Sequence, residues 1–175
     1  MDDSEITSMR FNPPKDWIQP QGMNTHFFGF IDFLKYIGYR ENYLEIGTFK
    51  GEAISLVASS GFFKNISTID VWNHGRIDIL KEFDNITYYI GSSDECVDDF
   101  EDESLDVVYI DGHHSYEQVT KDIQNYLPKL KNNGFMAGHD YHLGAWPEVI
   151  SAVHEQVGEP DKVFNDTTWV KRISK

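Results

Sequence analysis

The stretch Tyr43-Leu44-Glu45-Ile46-Gly47-Thr48-Phe49-Lys50-Gly51 decides how the rest of the chain is read. An apolar run that stops at a glycine describes a short strand ending in a turn. The segment behind it, Glu52-Ala53-Ile54-Ser55-Leu56-Val57-Ala58, is rich in residues that favour helix. Strand, glycine turn and helix in that order make the first βα unit of a doubly wound sheet that binds nucleotides. Lacking a Cβ, Gly47 lets the backbone turn sharply against a ligand, and Gly51 lets the helix sit close to the strand. The free N–H groups opening that helix then point at the ligand.

Downstream, the helix from Glu52 is expected to end at Gly61, and Ile66-Ser67-Thr68-Ile69-Asp70-Val71 reads as a second strand. Asp70 lies near the offset of roughly 20 residues from the glycine turn that places a carboxylate beside a ribose. Its two oxygens can each accept a hydrogen bond from the vicinal hydroxyls of one sugar. Ile77, Leu80 and Phe83 suggest a short helix, and Ile86-Thr87-Tyr88-Tyr89-Ile90 a third strand that runs into Gly91-Ser92-Ser93. Two uses of that triplet stand open: hydroxyls offered to the edge of a base, or the cap of a helix. Asp98 to Glu103 reads as a solvated acidic loop.

Leu105-Asp106-Val107-Val108-Tyr109-Ile110 is the most continuous apolar strand and belongs in the centre of the sheet. It delivers Asp111-Gly112-His113-His114 to the carboxyl edge, where ligands of such sheets bind. Tyr116, Val119, Ile123, Leu127 and Leu130 form a helical face ahead of an expected turn at Asn132-Asn133-Gly134. Phe135-Met136-Ala137-Gly138 is then a fifth strand, bringing His139-Asp140-Tyr141-His142 to the same edge. A helix over Pro147 to Val157 follows, and a closing hairpin joins Lys162-Val163-Phe164 to Thr168-Trp169-Val170-Lys171-Arg172 across Asn165-Asp166. Upstream, Phe27, Phe30, Ile31, Leu34 and Ile37 share one helical face behind a cap at Asn24. Residues 1–22, with Pro13-Pro14 and Pro20, read as an irregular N-terminal arm, and residues 23–175 as the domain. Phe11 and Trp17 of the arm are candidates for packing on that domain or on a second subunit of a homo-oligomer.

Composition narrows the function classes. With 175 residues, 40% of them hydrophobic and 25% charged, the chain is long enough to bury a sheet. Its 29 acidic residues outnumber 15 basic ones, and the net charge of −14 repels phosphate backbones and anionic membranes, so neither nucleic acid nor membrane is an expected partner. No apolar run approaches the roughly 18 residues of a membrane span, and the polar start does not read as a signal peptide. The lone Cys96 agrees with a reducing, cytoplasmic location.

Glu45-x-Gly47-x-x-x-Gly51 is similar to the first motif of the Rossmann-like, class I S-adenosylmethionine-dependent methyltransferases, a resemblance that runs from about Asn42 to the end of the chain. It lacks the G-x-G-x-x-G of dinucleotide folds and the GK[ST] of P-loops. Ile110-Asp111-Gly112-His113-His114-Ser115-Tyr116 and Gly138-His139-Asp140-Tyr141 resemble more specifically the small-molecule and sugar O-methyltransferases related to macrocin O-methyltransferase. The resemblance implies an α/β sandwich on a mostly parallel seven-stranded sheet of order 3-2-1-4-5-7-6, its last strand antiparallel and helices on both faces. It implies that Glu45, Gly47 and Gly51 hold the methionine end of S-adenosylmethionine, Asp70 the ribose, and Ser92 and Ser93 the adenine edge, with Asp111 also among the cofactor-binding residues. Relatives often carry a hydroxyl residue where this chain has Ala53. A divalent metal is implied at Asp111, His139 and Asp140. Carboxylates there suit Mg²⁺, whereas an imidazole suits Mn²⁺, Fe²⁺ or Zn²⁺, and a metal-free use of the two acids on substrate hydroxyls stays open.

His114 stands where metal-dependent relatives place a base, and its ordinary pKa of about 6.5 suits removal of a hydroxyl proton. The implied reaction is O-methylation of a sugar or another small hydroxylated metabolite. Two other functions fit the same residues. An Fe(II) oxygenase could use two histidines and a carboxylate, since some sequences resembling this group are called hydroxylases. A non-catalytic nucleoside-binding module would keep only the glycine turn and Asp70. His113 reads as a bystander, and His26, His74, His142 and His154 carry no assignment.

Overall fold

The computed structural model describes residues 26–71 and 83–175. The arm over 1–22, the Asn24 cap and the helix expected at Ile77 and Leu80 lie outside the described residues. Within them the chain runs α1 (His26–Ile37), β1 (Arg40–Ile46), α2 (Glu52–Ser60), β2 (Phe63–Asp70), β3 (Ile86–Ile90), α3 (Ser93–Cys96), β4 (Leu105–Ile110), α4 (Tyr116–Tyr126), β5 (Leu130–Gly138), α5 (Pro147–Val157), β6 (Lys162–Val163) and β7 (Trp169–Arg172). The strands form one seven-stranded sheet of order β3-β2-β1-β4-β5-β7-β6.

Pairings among β1 to β5 are all parallel, but β7 runs antiparallel to both β5 and β6. The sheet is therefore mixed: β7, the last strand, is antiparallel as the resemblance implied, and the expected parallel pairing holds only from β1 to β5. A short connection between neighbouring strands can only return the chain antiparallel, whereas each parallel step needs a longer crossover.

Alternation along the strands divides the core in two. Tyr43, Ile66, Val107, Tyr109 and Phe135 cluster with Phe30 and Phe33 of α1 and with Ile54 and Val57 of α2. Leu44, Ile69, Val108, Ile110 and Met136 cluster instead with Val119 and Ile123 of α4 and with Val149 and Val153 of α5. Each such side chain, fully buried, contributes about 1.5–3 kcal/mol. Two rings of α1, Phe30 and Phe33, lie 5.2 and 5.5 Å from the Tyr109 ring and so fix the helix against the centre of the sheet.

Two boundaries differ from expectation. The helical face ends with Tyr126 and its cap Leu127, and Leu130 to Gly134 belong to β5. Asn132-Asn133-Gly134 carries turn chemistry, and Asn133 does adopt a left-handed φ of 64°. The chain's last residues override the turn: Asn133 N–H donates to the Ile173 carbonyl, and Ile173 N–H to that of Gly134, both at 2.8 Å. A short helix, α3, follows Ser92, in keeping with the helix-cap use left open for Gly91-Ser92-Ser93.

The register sets up the site. Ile69 of β2, Ile46 of β1, Ile110 of β4 and Gly138 of β5 stand abreast. The ladder continues one residue further, with Gly47 N–H on Ile69 O at 2.9 Å, Asp111 N–H on Ile46 O at 2.8 Å and His139 N–H on Ile110 O at 3.0 Å. Asp70, Gly47, Asp111 and His139 thus emerge in one row from the carboxyl ends of four adjacent strands.

Candidate functional site

Two cavities open over that row, of about 490 and 470 Å³, and Gly47, Phe49, Asp111 and Gly112 border both. Each is of a size that holds a small molecule.

The glycine turn forms the wall between them. Gly47 has φ 95°, and a Cβ there would collide with the Asp111 carbonyl, so the β1 and β4 ends approach as closely as backbones can. Gly51 caps α2 with φ 77°. Glu45 points elsewhere: it is 1% exposed, borders neither cavity, and accepts a hydrogen bond from Thr68 Oγ1 at 3.0 Å. Thr48 Oγ1 meets the same Thr68 hydroxyl at 2.5 Å. Burial, and then the charge of Asp111, pushes the Glu45 carboxyl well above its usual range. Its place is beneath the turn, bracing it through two buried threonines whose role the sequence did not announce.

The second cavity carries the residues expected for a nucleoside. Asp70 borders it, with Oδ2 accepting the Phe49 N–H at 2.8 Å, which ties the end of β2 to the glycine turn. The Ser92 and Ser93 hydroxyls, expected at a base edge, are engaged within the protein. Ser92 opens α3 in a capping box: Glu95 N–H donates to its Oγ at 3.3 Å, and Glu95 Oε2 accepts its N–H at 2.9 Å. Ser93 Oγ donates to Asp122 Oδ1 at 2.5 Å. Of the two uses open for this triplet, the helix cap is the one seen at Ser92, and both serines border the cavity. Replacing Ser92 with Ala should cost about 1 kcal/mol of stability, read from a urea midpoint. A midpoint unmoved by the change would show that the box contributes nothing.

Acids and imidazoles gather around the first cavity. Asp111, His139 and Asp140 each offer a ligand atom, and these atoms lie within 4.8 Å of one another. His139 Nδ1 is 3.3 Å from Asp140 Oδ1 and 4.0 Å from Asp111 Oδ1. His114 Nε2 lies 2.5 Å from Asp140 Oδ2 and 3.8 Å from Asp111 Oδ1, as an ion-pair contact and not a well-aligned hydrogen bond. Its ring stacks on Trp146, with centroids 4.5 Å apart. Contact with Asp111, and then with Asp140, raises the His114 pKa to about 9. Burial pulls His139 down, but hydrogen bonding to Asp140 and the charges of Asp111 and Asp140 outweigh it, and its pKa also rises to about 9. Burial pushes Asp140 up, yet the two imidazoles draw it well below the carboxylate range. Asp111 is raised, burial outweighing the same partners. Both imidazoles are thus held above the ordinary histidine range from which His114 was first read.

Asp166 completes the cavity wall and was not foreseen. It is 3% exposed, accepting the Thr168 N–H at 3.1 Å and the Thr168 hydroxyl at 2.9 Å. The Thr168 hydroxyl in turn meets Tyr109 OH at 3.1 Å. Asn-Asp between two strands signals only a turn, and the burial of Asp166 comes from α1, where a Cβ on Gly29 would strike its carboxylate. His113 is exposed, borders the second cavity and accepts the Ser115 N–H.

This strand order, with a glycine turn after β1, an acid ending β2 and acid- and histidine-bearing loops after β4 and β5, defines a Rossmann-like methyltransferase fold. Residues 44–141 match the family model described as "Methyltransferase domain", and the chain belongs to that family. An uncharacterized protein of Acanthamoeba polyphaga mimivirus is 30% identical over 132 residues, 67% of this chain and 59% of that protein, so the chain spans little more than half of that relative's length. Among solved structures, an apo TDP-rhamnose 3'-O-methyltransferase of calicheamicin biosynthesis superposes with a TM-score of 0.66 at 11% identity, covering 89% of this chain and 82% of that one. A SAM-dependent methyltransferase from Aquifex aeolicus gives 0.64 at 15% identity, covering 97% and 96%. At such identities the likeness is one of fold. No helix among the described residues is long and apolar enough to cross a membrane.

Proposed function

We propose that this protein transfers the methyl group of S-adenosylmethionine to a hydroxyl of a sugar or a comparable small polar metabolite, assisted by a divalent cation. The observation that carries this reading is the shared wall: Gly47 and Asp111 border both the cavity beside Asp70 and the cavity beside His139, Asp140 and His114. A donor lying across that wall would keep its nucleoside on one side and present its sulfonium methyl on the other.

Asp70 borders the second cavity, where its carboxylate can accept the ribose hydroxyls, and the backbone at Gly47 and Gly51 leaves room for the methionine chain. Ala53 borders the first cavity without a hydroxyl, so the donor's carboxylate falls to N–H groups at the start of α2. Two carboxylates and one imidazole, part-buried and close enough to share one ion, fit a divalent cation that accepts nitrogen beside oxygen, Mn²⁺ better than Mg²⁺. Bound there, the cation would supply positive charge that stabilises the acceptor's alkoxide. Asp166 can accept a second hydroxyl of the substrate and orient it. In the transfer the S–CH₃ bond breaks as the O–CH₃ bond forms, and the hydroxyl proton leaves the oxygen. His114, beside Asp111 and Asp140, is the candidate to take it as a neutral imidazole. Much of the acceleration comes from holding oxygen, carbon and sulfur in line.

An Fe(II) oxygenase of facial-triad type needs two imidazoles and one carboxylate, whereas the grouped ligands here are one imidazole and two carboxylates. A non-catalytic nucleoside-binding module would be untouched by His114→Ala in every assay. The test is calorimetry with S-adenosylhomocysteine, with and without Mn²⁺, followed by methyl transfer from labelled donor to a panel of nucleotide sugars and polyols. Saturable heat with the nucleoside, and label in a hydroxylated acceptor, are expected. A flat titration at millimolar nucleoside would sink the proposal.

A further inference from the structure

The contacts of His114 set where its ring nitrogen lies but not how the ring is tilted. Nε2 is buried 2.5 Å from Asp140 Oδ2 and 3.8 Å from Asp111 Oδ1, yet no aligned hydrogen bond fixes it among the described residues. Attraction between charges is not directional, and rotation of an imidazole about its last torsion is soft. Among the described residues, what sets the plane of the ring is the stack on Trp146, with centroids 4.5 Å apart and 24° between the planes.

Nothing in the fold asks for an indole at that position. Trp146 is 40% exposed and belongs to neither core cluster. It occupies the cap of α5, where a short polar side chain would satisfy a free N–H, and it makes no such bond. Its backbone is nonetheless held from both sides. Trp146 N–H donates to His142 O at 2.8 Å, and Pro147 keeps the residue before it out of the helical region, at φ −134° and ψ 62°. The loop after β5 thus presents the indole at a fixed place to the imidazole on the loop after β4.

Trp146 borders neither cavity, so it acts on the chemistry only through His114. A cation bound by Asp111 and Asp140 would engage the carboxylates that draw Nε2 and set positive charge beside the ring. The stack depends on neither carboxylate. We propose that Trp146 is a positioning residue, whose indole face holds the His114 imidazole with Nε2 turned into the first cavity, above all once those carboxylates serve a cation. The inference rests on the base role proposed for His114 and adds the residue that aims it.

The test follows the His114 ring by NMR in the full-length protein with isotope-labelled histidine, its signal identified by its loss in His114→Gln. In wild type the ring protons should be shifted upfield by the indole and stay so at saturating Mg²⁺, chosen because it is diamagnetic. Trp146→Leu should abolish that shift, and Trp146→Phe, which restores an aromatic face, should keep most of it. With the nucleotide sugar or polyol that takes label, Trp146→Leu should lower kcat about thirtyfold and leave the acceptor's KM within about twofold, as a misaimed base would. Trp146→Phe should stay within about threefold of wild type in kcat. Combined with His114→Gln, Trp146→Leu should cost nothing further, because the group it aims is gone. Circular dichroism melting confirms that each variant is folded. A His114 signal that does not move in folded Trp146→Leu overturns the inference. So does an undiminished kcat in that variant, or a further loss in the His114→Gln background. Label passed to no acceptor by wild type would instead bring down the proposed reaction, and this inference with it.

Discussion

Asp140→Asn is expected to lower methyl transfer by about a thousandfold while leaving the protein folded. Asp140 joins the site together: one carboxylate oxygen is 3.3 Å from His139 Nδ1 and the other 2.5 Å from His114 Nε2. Its charge therefore positions two imidazoles and supplies a ligand atom to the proposed cation site. The choice of Asn matters because Asp140 sits at φ 59°, in the left-handed region that Asn tolerates better than almost any other side chain. Asn keeps the backbone and volume and removes only the charge, whereas Ala would mix backbone strain into the result. Mn²⁺ affinity, followed by the loss of free-ion paramagnetic resonance on titration, should fall together with the rate. The melting temperature should move by only a few degrees, since the part-exposed ion pairs here contribute little to stability. Near wild-type turnover with unaltered Mn²⁺ binding would remove Asp140 from the site.

Much of this site is legible in the sequence because its residues follow strands directly. Wherever an apolar run ends, the next side chains stand at the carboxyl edge, and Asp70, Asp111, His139 and Asp140 were found that way. Their alignment into one row needs only that β2, β1, β4 and β5 be neighbours, which the family resemblance implied. Glu45 was placed at the right turn, but a periodic apolar strand does not reveal that Thr68 meets its buried carboxylate and links it to Thr48. Asp166 and Asp122 escaped for a similar reason. Each meets an element distant in sequence, Asp166 at α1 and Asp122 at α3, and local turn or helix chemistry accounts for both residues without those contacts. Asn132-Asn133-Gly134 is the converse, a sound local signal overruled when the last residues of the chain supplied strand partners. His114 shows the limit for electrostatics. Its position was readable, but its protonation depends on two carboxylates brought to one imidazole by different strands.

Gly47→Ala should be the most damaging substitution in the glycine turn, and its damage can be split into two causes. One is conformational: a side chain at φ 95° is strained wherever it stands, by about 1–2 kcal/mol. The other is a collision, because the added Cβ would overlap the carbonyl of Asp111 and crowd the Cα of Gly112, backbone atoms that no rotamer change can move aside. Relief requires β1 and β4 to part where Asp111 N–H bonds Ile46 O at 2.8 Å, and that bond aims Asp111 at both cavities. Gly38 supplies the control. It too has a left-handed φ, 67°, but a Cβ there meets nothing within 4 Å among the described residues, so Gly38→Ala carries the conformational cost alone. In urea unfolding, Gly38→Ala should lose about 1 kcal/mol and Gly47→Ala at least about twice that. Calorimetry with S-adenosylhomocysteine should show unchanged affinity for the first and about a hundredfold loss for the second, as expected when a near-contact geometry is displaced by roughly an ångström. If Gly47→Ala instead matched Gly38→Ala in stability and kept its affinity, the close approach of the two strand ends would not be what sets Asp111 against the donor.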